Sequence, residues 1–186
     1  MTNRFVTIPT RFNRATLAPL VAEAQKVAHV VVVHTEPHHA PIRGTTGIES
    51  ASNSIQRWWN EGLDQCDGPT LVLNDDIIAT AEHLTELFDA LDTADLVYLS
   101  GHRVGHATPF TGWCYGLHPD RIRPDEAFGW WYGEDDMYQR AFQAGLTITP
   151  VDIPGIRHAR SEAAFENPRH AAMTAQDGAL YRQRWG

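Results

Sequence analysis

The sequence predicts an α/β protein, a single-domain α/β/α sandwich with a mostly parallel central sheet, on three observations. Short apolar runs suited to strands alternate along the chain with segments of helical spacing. The run Val30-Val31-Val32-Val33 is continuous and β-branched, as in a strand covered on both faces. Finally, a cluster of carboxylates follows directly on another buried-type strand, at the end of the sheet where open α/β proteins bind ligands.

Taken in order, Phe5 to Ile8 reads as a strand stopped by Pro9, and Arg14 to Val27 as a helix through Leu17, Leu20, Val21, Ala24 and Val27. With Val30 to Val33 they make a β-α-β unit containing a parallel pair. A polar stretch with Pro37, Pro41, Gly44 and Gly47 leads into helical spacing from Ser50 to Gln65, carried by Ile55, Trp58, Trp59 and Leu63 and ended by Gly68-Pro69. Thr70 to Leu73 is a buried-type strand, Ala81 to Leu91 a helix, and Leu96 to Leu99 a fourth short strand. Residues 101 to 133, rich in Gly, His, Pro and aromatics, have poor periodicity and suit a site more than a scaffold. Asp135 to Ala144 is helical and closed by Gly145, Leu146 to Ile153 is a strand, and Ala171 to Arg184 is a weakly helical tail.

Bulk properties narrow the function classes. At 186 residues, 42% apolar and 20% charged, the chain can bury one core without disulfides or structural metals. Cys66 and Cys114 have no metal-ligand spacing and read as free thiols of a reducing compartment. No segment approaches the roughly 20 apolar residues of a membrane span, and the start lacks a cationic stretch followed by a long apolar run. The expectation is a soluble, cytoplasmic protein. A net charge of −8 argues against non-specific nucleic-acid binding. A local basic face remains open at the end of the chain, where Arg157, Arg160, Arg169, Arg182 and Arg184 face Glu162, Glu166 and Asp177.

Two acidic segments carry the candidate chemistry. Asn74-Asp75-Asp76 stands at the carboxyl end of Thr70 to Leu73, where two adjacent carboxylates repel unless a cation neutralises them. Hard oxygen donors suit Mg²⁺ or Mn²⁺, with a diphosphate completing the shell. The same string equally fits a turn with Asp76 capping a following helix. Gly133-Glu134-Asp135-Asp136 opens a helix, where anions are stabilised and a cap is the plain alternative. Three acids beside Trp130, Trp131 and Tyr132 exceed what a cap needs. A partly desolvated carboxylate there suits a general base, and aromatic faces suit sugar rings. His158 follows the last strand and could reach a metal or phosphate at the sheet's edge, although a lone histidine is more often a surface residue. The loop pair His38-His39 is as readily solvated.

From Phe5 to about Ser161 the ordered motifs resemble the family 2-like glycosyltransferases with the nucleotide-sugar-binding A-type (GT-A) fold. Val6 to Arg14 resembles that family's first strand and nucleotide-contacting loop. Asn60-Glu61-Gly62 followed by Asn74-Asp75-Asp76 resembles its Asn-x-Gly helix and metal-binding acidic motif, and Glu134-Asp135 its Glu-Asp motif. The resemblance implies a UDP-sugar as first-choice donor, Mn²⁺ or Mg²⁺ as cofactor, and transfer with inversion to an acceptor hydroxyl. Residues 1–100 would then bind nucleotide, 101–165 carry acceptor and catalysis, and 166–186 form a tail. Asp76 and His158 would ligate the metal, with Asp75 on the metal shell or the ribose. Thr10, Arg11, Asn60 and Asn74 would line the nucleotide sugar, and Arg140 would orient the acidic motif or approach the phosphates. Asp135 would be the base, with Asp136 the alternative, and Glu134 would hold sugar or acceptor hydroxyls. His34-Thr35-Glu36 stands where the family has an aspartate near the nucleotide base, which assigns Glu36 to that contact.

The acceptor could be a glycan, a protein, a small molecule or, against the overall acidity, a modified base in viral DNA. A nucleotidyltransferase is the rival enzyme, but it would want a glycine-rich loop with a lysine where this chain has Pro9-Thr10-Arg11-Phe12. A non-catalytic carbohydrate-binding module is the rival from another class.

Overall fold

The computed structural model describes residues 3–11, 14–35, 42–100, 107–159 and 168–186. A seven-stranded sheet is built from β1 (Phe5–Thr10), β2 (His29–His34), β3 (Thr46–Glu49), β4 (Thr70–Leu73), β6 (Leu96–Leu99), β7 (Cys114–Leu117) and β8 (Ile148–Val151). Its order is β3-β2-β1-β4-β7-β6-β8, with β7 the one antiparallel member. Two short strands, β5 (Ile77–Ile78) and β9 (Arg157–His158), pair separately and antiparallel.

Period-two alternation sorts the side chains into two layers. Val6, Ile8, Val30, Val32, Leu71, Leu73, Val97 and Leu99 face α1 (Leu17–Ala24) and α3 (Ala81–Leu91). Their neighbours Val72, Leu96, Tyr98, Tyr115 and Leu117 face α2 (Ile55–Leu63) and α4 (Gly133–Gln143), while Val31 and Val33 meet Trp58 of α2. Helices on both faces of a mostly parallel sheet are the architecture the sequence predicts, and α5 (Pro168–Trp185) adds a last helix.

Boundaries differ from the sequence reading for local reasons. β1 runs through Pro9 to Thr10, because β4 pairs only as far as Thr7 and beyond it β1 bonds β2 alone. A strand with one open side tolerates the missing N–H. The helix expected from Ser50 starts at Ile55, since Ser50 and Ser52 accept bonds from the amides of Ser52 and Ser54 and hold a turn. Ser54 then caps α2 by accepting from the Arg57 amide. Neither β3 nor β7 is expected from the sequence. β7 lies in the glycine-rich and aromatic stretch, where Gly116 is required: a Cβ there would lie 2.7 Å from Leu91 and 2.8 Å from Leu71.

Candidate active site at the carboxyl edge of the sheet

β1 and β4 end side by side, and their loops lock together. The Thr10 hydroxyl donates to Asp75 Oδ2 at 2.7 Å, and the Thr16 hydroxyl donates to the Asp75 carbonyl at 2.7 Å. Burial pushes the Asp75 carboxyl above its ordinary range; the Thr10 bond opposes this and the neighbouring Asp76 charge adds to it. The antiparallel pairing of β5 with β9 aligns Ile77 with His158, and the Ala159 amide donates to the Asp76 carbonyl at 2.8 Å. His158 Nε2 therefore sits 3.0 Å from Asp76 Oδ1. The contact lacks hydrogen-bond geometry, and Asp76 Oδ1 and Asn74 Oδ1 are both buried with no hydrogen-bond partner among the described residues. Buried oxygens without hydrogen bonds at a strand end fit a cation or a polar ligand.

The second acidic segment reaches the same place through β7. The Asn74 amide donates to the Trp113 carbonyl at 3.0 Å, and the Trp113 ring stacks on His158 at 4.8 Å with an interplanar angle of 2°. Beside Trp113, Gly112 leaves room for Glu134: a Cβ at Gly112 would lie 2.9 Å from Glu134 Cγ. Asp75, Asp76 and His158 thus meet at one strand end, and Glu134 approaches it by way of Gly112, beside Trp113, so three separate segments contribute.

The three acids of α4 have different surroundings. Asp135 is fully buried, and its Oδ1 accepts from the Thr108 amide at 2.8 Å and the Thr108 hydroxyl at 2.5 Å. Asp136, also fully buried, accepts from Arg140 Nε at 2.7 Å, Arg184 Nη1 at 3.1 Å and Trp185 Nε1 at 3.0 Å. Glu134 is buried with Oε2 lacking a hydrogen-bond partner among the described residues. Burial pushes its carboxyl up to about 8; a backbone hydrogen bond opposes, and the charges of Asp135 and Asp177 add.

The remaining expected residues have other neighbours. Arg11 lies over the rings of Trp58 and Trp130, at 5.5 and 5.9 Å. Asn60 donates to the Pro124 carbonyl and to Glu126, and with Arg140 it lines a separate depression of about 540 Å³ walled by residues 119–126. Gly62 has a packing role, since a Cβ there would meet the Thr7 hydroxyl. Glu36, the His38-His39 pair, Phe12, Arg160 and Ser161 lie outside the described residues. Of the C-terminal arginines, Arg184 is engaged with Asp125 and Asp136. Cys66 and Cys114 are buried free thiols, and burial raises both. Among the described residues no group of three or more His, Cys, Asp or Glu side chains converges on a metal position, and no helix is long and apolar enough to cross a membrane.

Sequence reasoning missed Thr108, Thr16, Asp177 and the Trp113 stack on His158. A threonine or an acid in an irregular or polar stretch carries no local sign of its distant partner, and Trp113 stood out only as one of several aromatics.

No protein-family model matches the chain, and no curated protein matches its sequence. Solved structures do match. Residues 1–349 of Staphylococcus aureus TarS align with a TM-score of 0.64 at 13% identity, over 94% of this chain and 65% of that one. The same region of TarS in complex with UDP-GlcNAc gives 0.62 at 14%, over 91% and 61%. The 2-C-methyl-D-erythritol 4-phosphate cytidylyltransferase of Thermus thermophilus gives 0.56 at 14%, over 97% and 99%. The glycosyltransferase GlyE of Streptococcus pneumoniae TIGR4 gives 0.54 at 11%, over 100% and 63%. The chain spans less than two thirds of the length of the TarS and GlyE structures it matches. With a mostly parallel sheet carrying one antiparallel strand, and with these neighbours, the chain has the GT-A-like fold shared by glycosyltransferases and a nucleotidyltransferase.

Proposed function

We propose that this chain transfers a sugar, with inversion, from a nucleotide-sugar donor to an acceptor hydroxyl, with a divalent cation at Asp76. The observation that carries this reading is the joining of two acidic segments at one strand end: Asp76 beside His158, His158 stacked on Trp113, and Glu134 against Gly112. The complex of TarS with UDP-GlcNAc supports a UDP-sugar as the donor to test first.

Asp76 and His158 would hold Mn²⁺ or Mg²⁺, with Asp75 behind them on the ribose or in the outer shell. An imidazole nitrogen beside a carboxylate oxygen suits such a cation, and Asp76 Oδ1, buried beside His158 without a hydrogen bond, fits it. When bound, the cation would offset charge on the leaving diphosphate. Thr10, Arg11 and Asn74 flank the nucleotide. Asp135, its orientation fixed by Thr108, accepts the proton of the acceptor hydroxyl as the oxygen attacks the anomeric carbon and the bond to diphosphate breaks. Asp136 is committed to Arg140, Arg184 and Trp185, which favours Asp135 as the base. Glu134, kept protonated by burial at neutral pH, can donate a hydrogen bond to a sugar or acceptor hydroxyl.

The second reading is nucleotidyl transfer. It draws on the cytidylyltransferase, which matches nearly end to end at 97% and 99% coverage. Against it stands Pro9-Thr10-Arg11-Phe12, a loop without glycine or lysine. A screen of nucleotide sugars and nucleoside triphosphates with Mn²⁺ tests both. Release of nucleoside diphosphate supports glycosyl transfer, pyrophosphate formation from nucleoside triphosphates supports the rival, and metal-independent sugar binding with neither product would indicate a binding module.

A further inference from the structure

The C-terminal helix α5 reaches the donor side of the site through one carboxylate. Asp177, buried at 4% exposure, accepts hydrogen bonds from three consecutive backbone amides: Gly129 at 2.9 Å, Trp130 at 2.7 Å and Trp131 at 2.9 Å. Consecutive amides converging on one anion make a nest, and here the anion is a side chain from the far end of the chain. The turn it holds is unusual. Tyr132, the next residue, has φ 63°, a left-handed conformation that costs a non-glycine residue about 1 kcal/mol or more. Its ring packs on Tyr181 of α5 at 5.4 Å.

From the other side, the turn is tied to the start of α2 by the Ile55 amide on the Gly129 carbonyl at 2.9 Å and the Ser54 hydroxyl on the Phe128 carbonyl. Trp130 is thus fixed between two helices. Its ring meets Trp58 edge to face at 6.0 Å and 86°, and the Arg11 guanidinium lies over both rings. Arg11 follows Thr10, whose hydroxyl holds Asp75. An unbroken series of contacts therefore runs from Asp177 to the Trp130 backbone, to the Trp130 ring, and to Arg11 at the strand end.

We propose that Asp177 is a positioning residue for donor binding, acting through Trp130 to set the place of Arg11. This rests on the reading of Arg11 as a donor-contacting residue. Asparagine at 177 keeps the shape but leaves one acceptor oxygen for three amides and turns an N–H₂ towards them. The turn then loses charge-assisted bonds that a carboxylate alone supplies.

A double-mutant cycle on nucleotide binding tests the relay. Wild type, Arg11→Ala, Asp177→Asn and the double variant are titrated with UDP, GDP, ADP and CDP in Mn²⁺, and the nucleotide that wild type binds tightest is used throughout. Asp177→Asn should weaken it about tenfold, the scale of one charge-assisted hydrogen bond, with a larger loss in affinity than in kcat at saturating donor. The double variant should bind no more weakly than Arg11→Ala, because the two residues act in series. Trp130→Leu, which keeps the clamp and removes the ring, should reproduce the loss, and it decides the matter if Asp177→Asn does not fold. An unchanged Kd in these variants, or losses that simply add to that of Arg11→Ala, overturns the relay while leaving Arg11 its role. A wild type that binds none of the nucleotides, or an Arg11→Ala that binds like wild type, instead refutes the donor-site reading and the relay with it.

Discussion

From β1 to β4 the chain is held by apolar alternation. From residue 107 onward the site-bearing segments are held by buried carboxylates that find donors far away in sequence. Val30 to Val33 face core on both sides and need no polar partner beyond the sheet's own ladder. In α4, by contrast, Asp135 relies on Thr108, and Asp136 on Arg140, Arg184 and Trp185, while the preceding turn relies on Asp177. The first kind of packing is non-directional and tolerates exchange among apolar residues of similar volume. The second is directional, and loss of one partner leaves a buried charge unanswered. A precise site sits on the second kind because hydrogen bonds fix orientation as well as distance, at the cost of fragility.

The largest expected effect is at the meeting point of the two regions. Asp76→Ala should lower transfer by at least about 100-fold and weaken nucleotide affinity, read as product release and as Kd; full activity would remove Asp76 from the site. Asp135→Asn should reduce turnover by about 10² to 10⁴ while nucleotide affinity stays unchanged, a split that separates base from binder. If Asp136→Asn gave that split instead, the assignment within α4 would be reversed.

Asp136→Ala should destabilise the fold by about 3 to 5 kcal/mol in urea unfolding, since Arg140 and Arg184 lose a buried partner. Glu134→Gln sharpens the contrast through pH. The unfolded Glu134 ionises near its ordinary value, whereas the folded one keeps its proton until about 8. Over that window the native state binds more protons, so wild-type stability from this group is fully present below the unfolded value and falls as pH rises through about 8. The glutamine variant should lack this slope and gain on the order of 5 kcal/mol over wild type above it, measured by denaturation at acidic and alkaline pH. Parallel pH profiles would contradict the buried protonated carboxyl. The smallest effect belongs to apolar packing where the two regions meet: Gly116→Ala in β7 should cost about 1 to 3 kcal/mol, because its Cβ would press on Leu71, Leu91 and Val97.

Much of the fold was legible in the chain because its signals are local. The run at Val30 to Val33, the spacing in Ala81 to Leu91 and the apolar stretches Thr70 to Leu73 and Leu96 to Leu99 depend on neighbours within a few residues, and all four reappear as elements. Asn74-Asp75-Asp76 was legible in the same way, as acids following a strand. β7 was not, because Gly112, Gly116 and the aromatics around them obscure alternation; its place is set by the gap between β4 and β6. The two-residue strands β5 and β9 are too short for any period.

The sequence by itself determined the layers, the parallel half of the sheet and the candidate acids. Only the tertiary structure decided which acids approach one strand end and which bond the scaffold. Asp76 meets His158 through a strand pair of two residues each, Glu134 reaches the same edge because Gly112 has no side chain, and Asp136 and the turn before α4 are claimed by α5. The physical reason is one of range. Hydrophobic periodicity repeats along the chain and can be read there, whereas a buried carboxylate is defined by its partner, and that partner is fixed only when distant segments close on it.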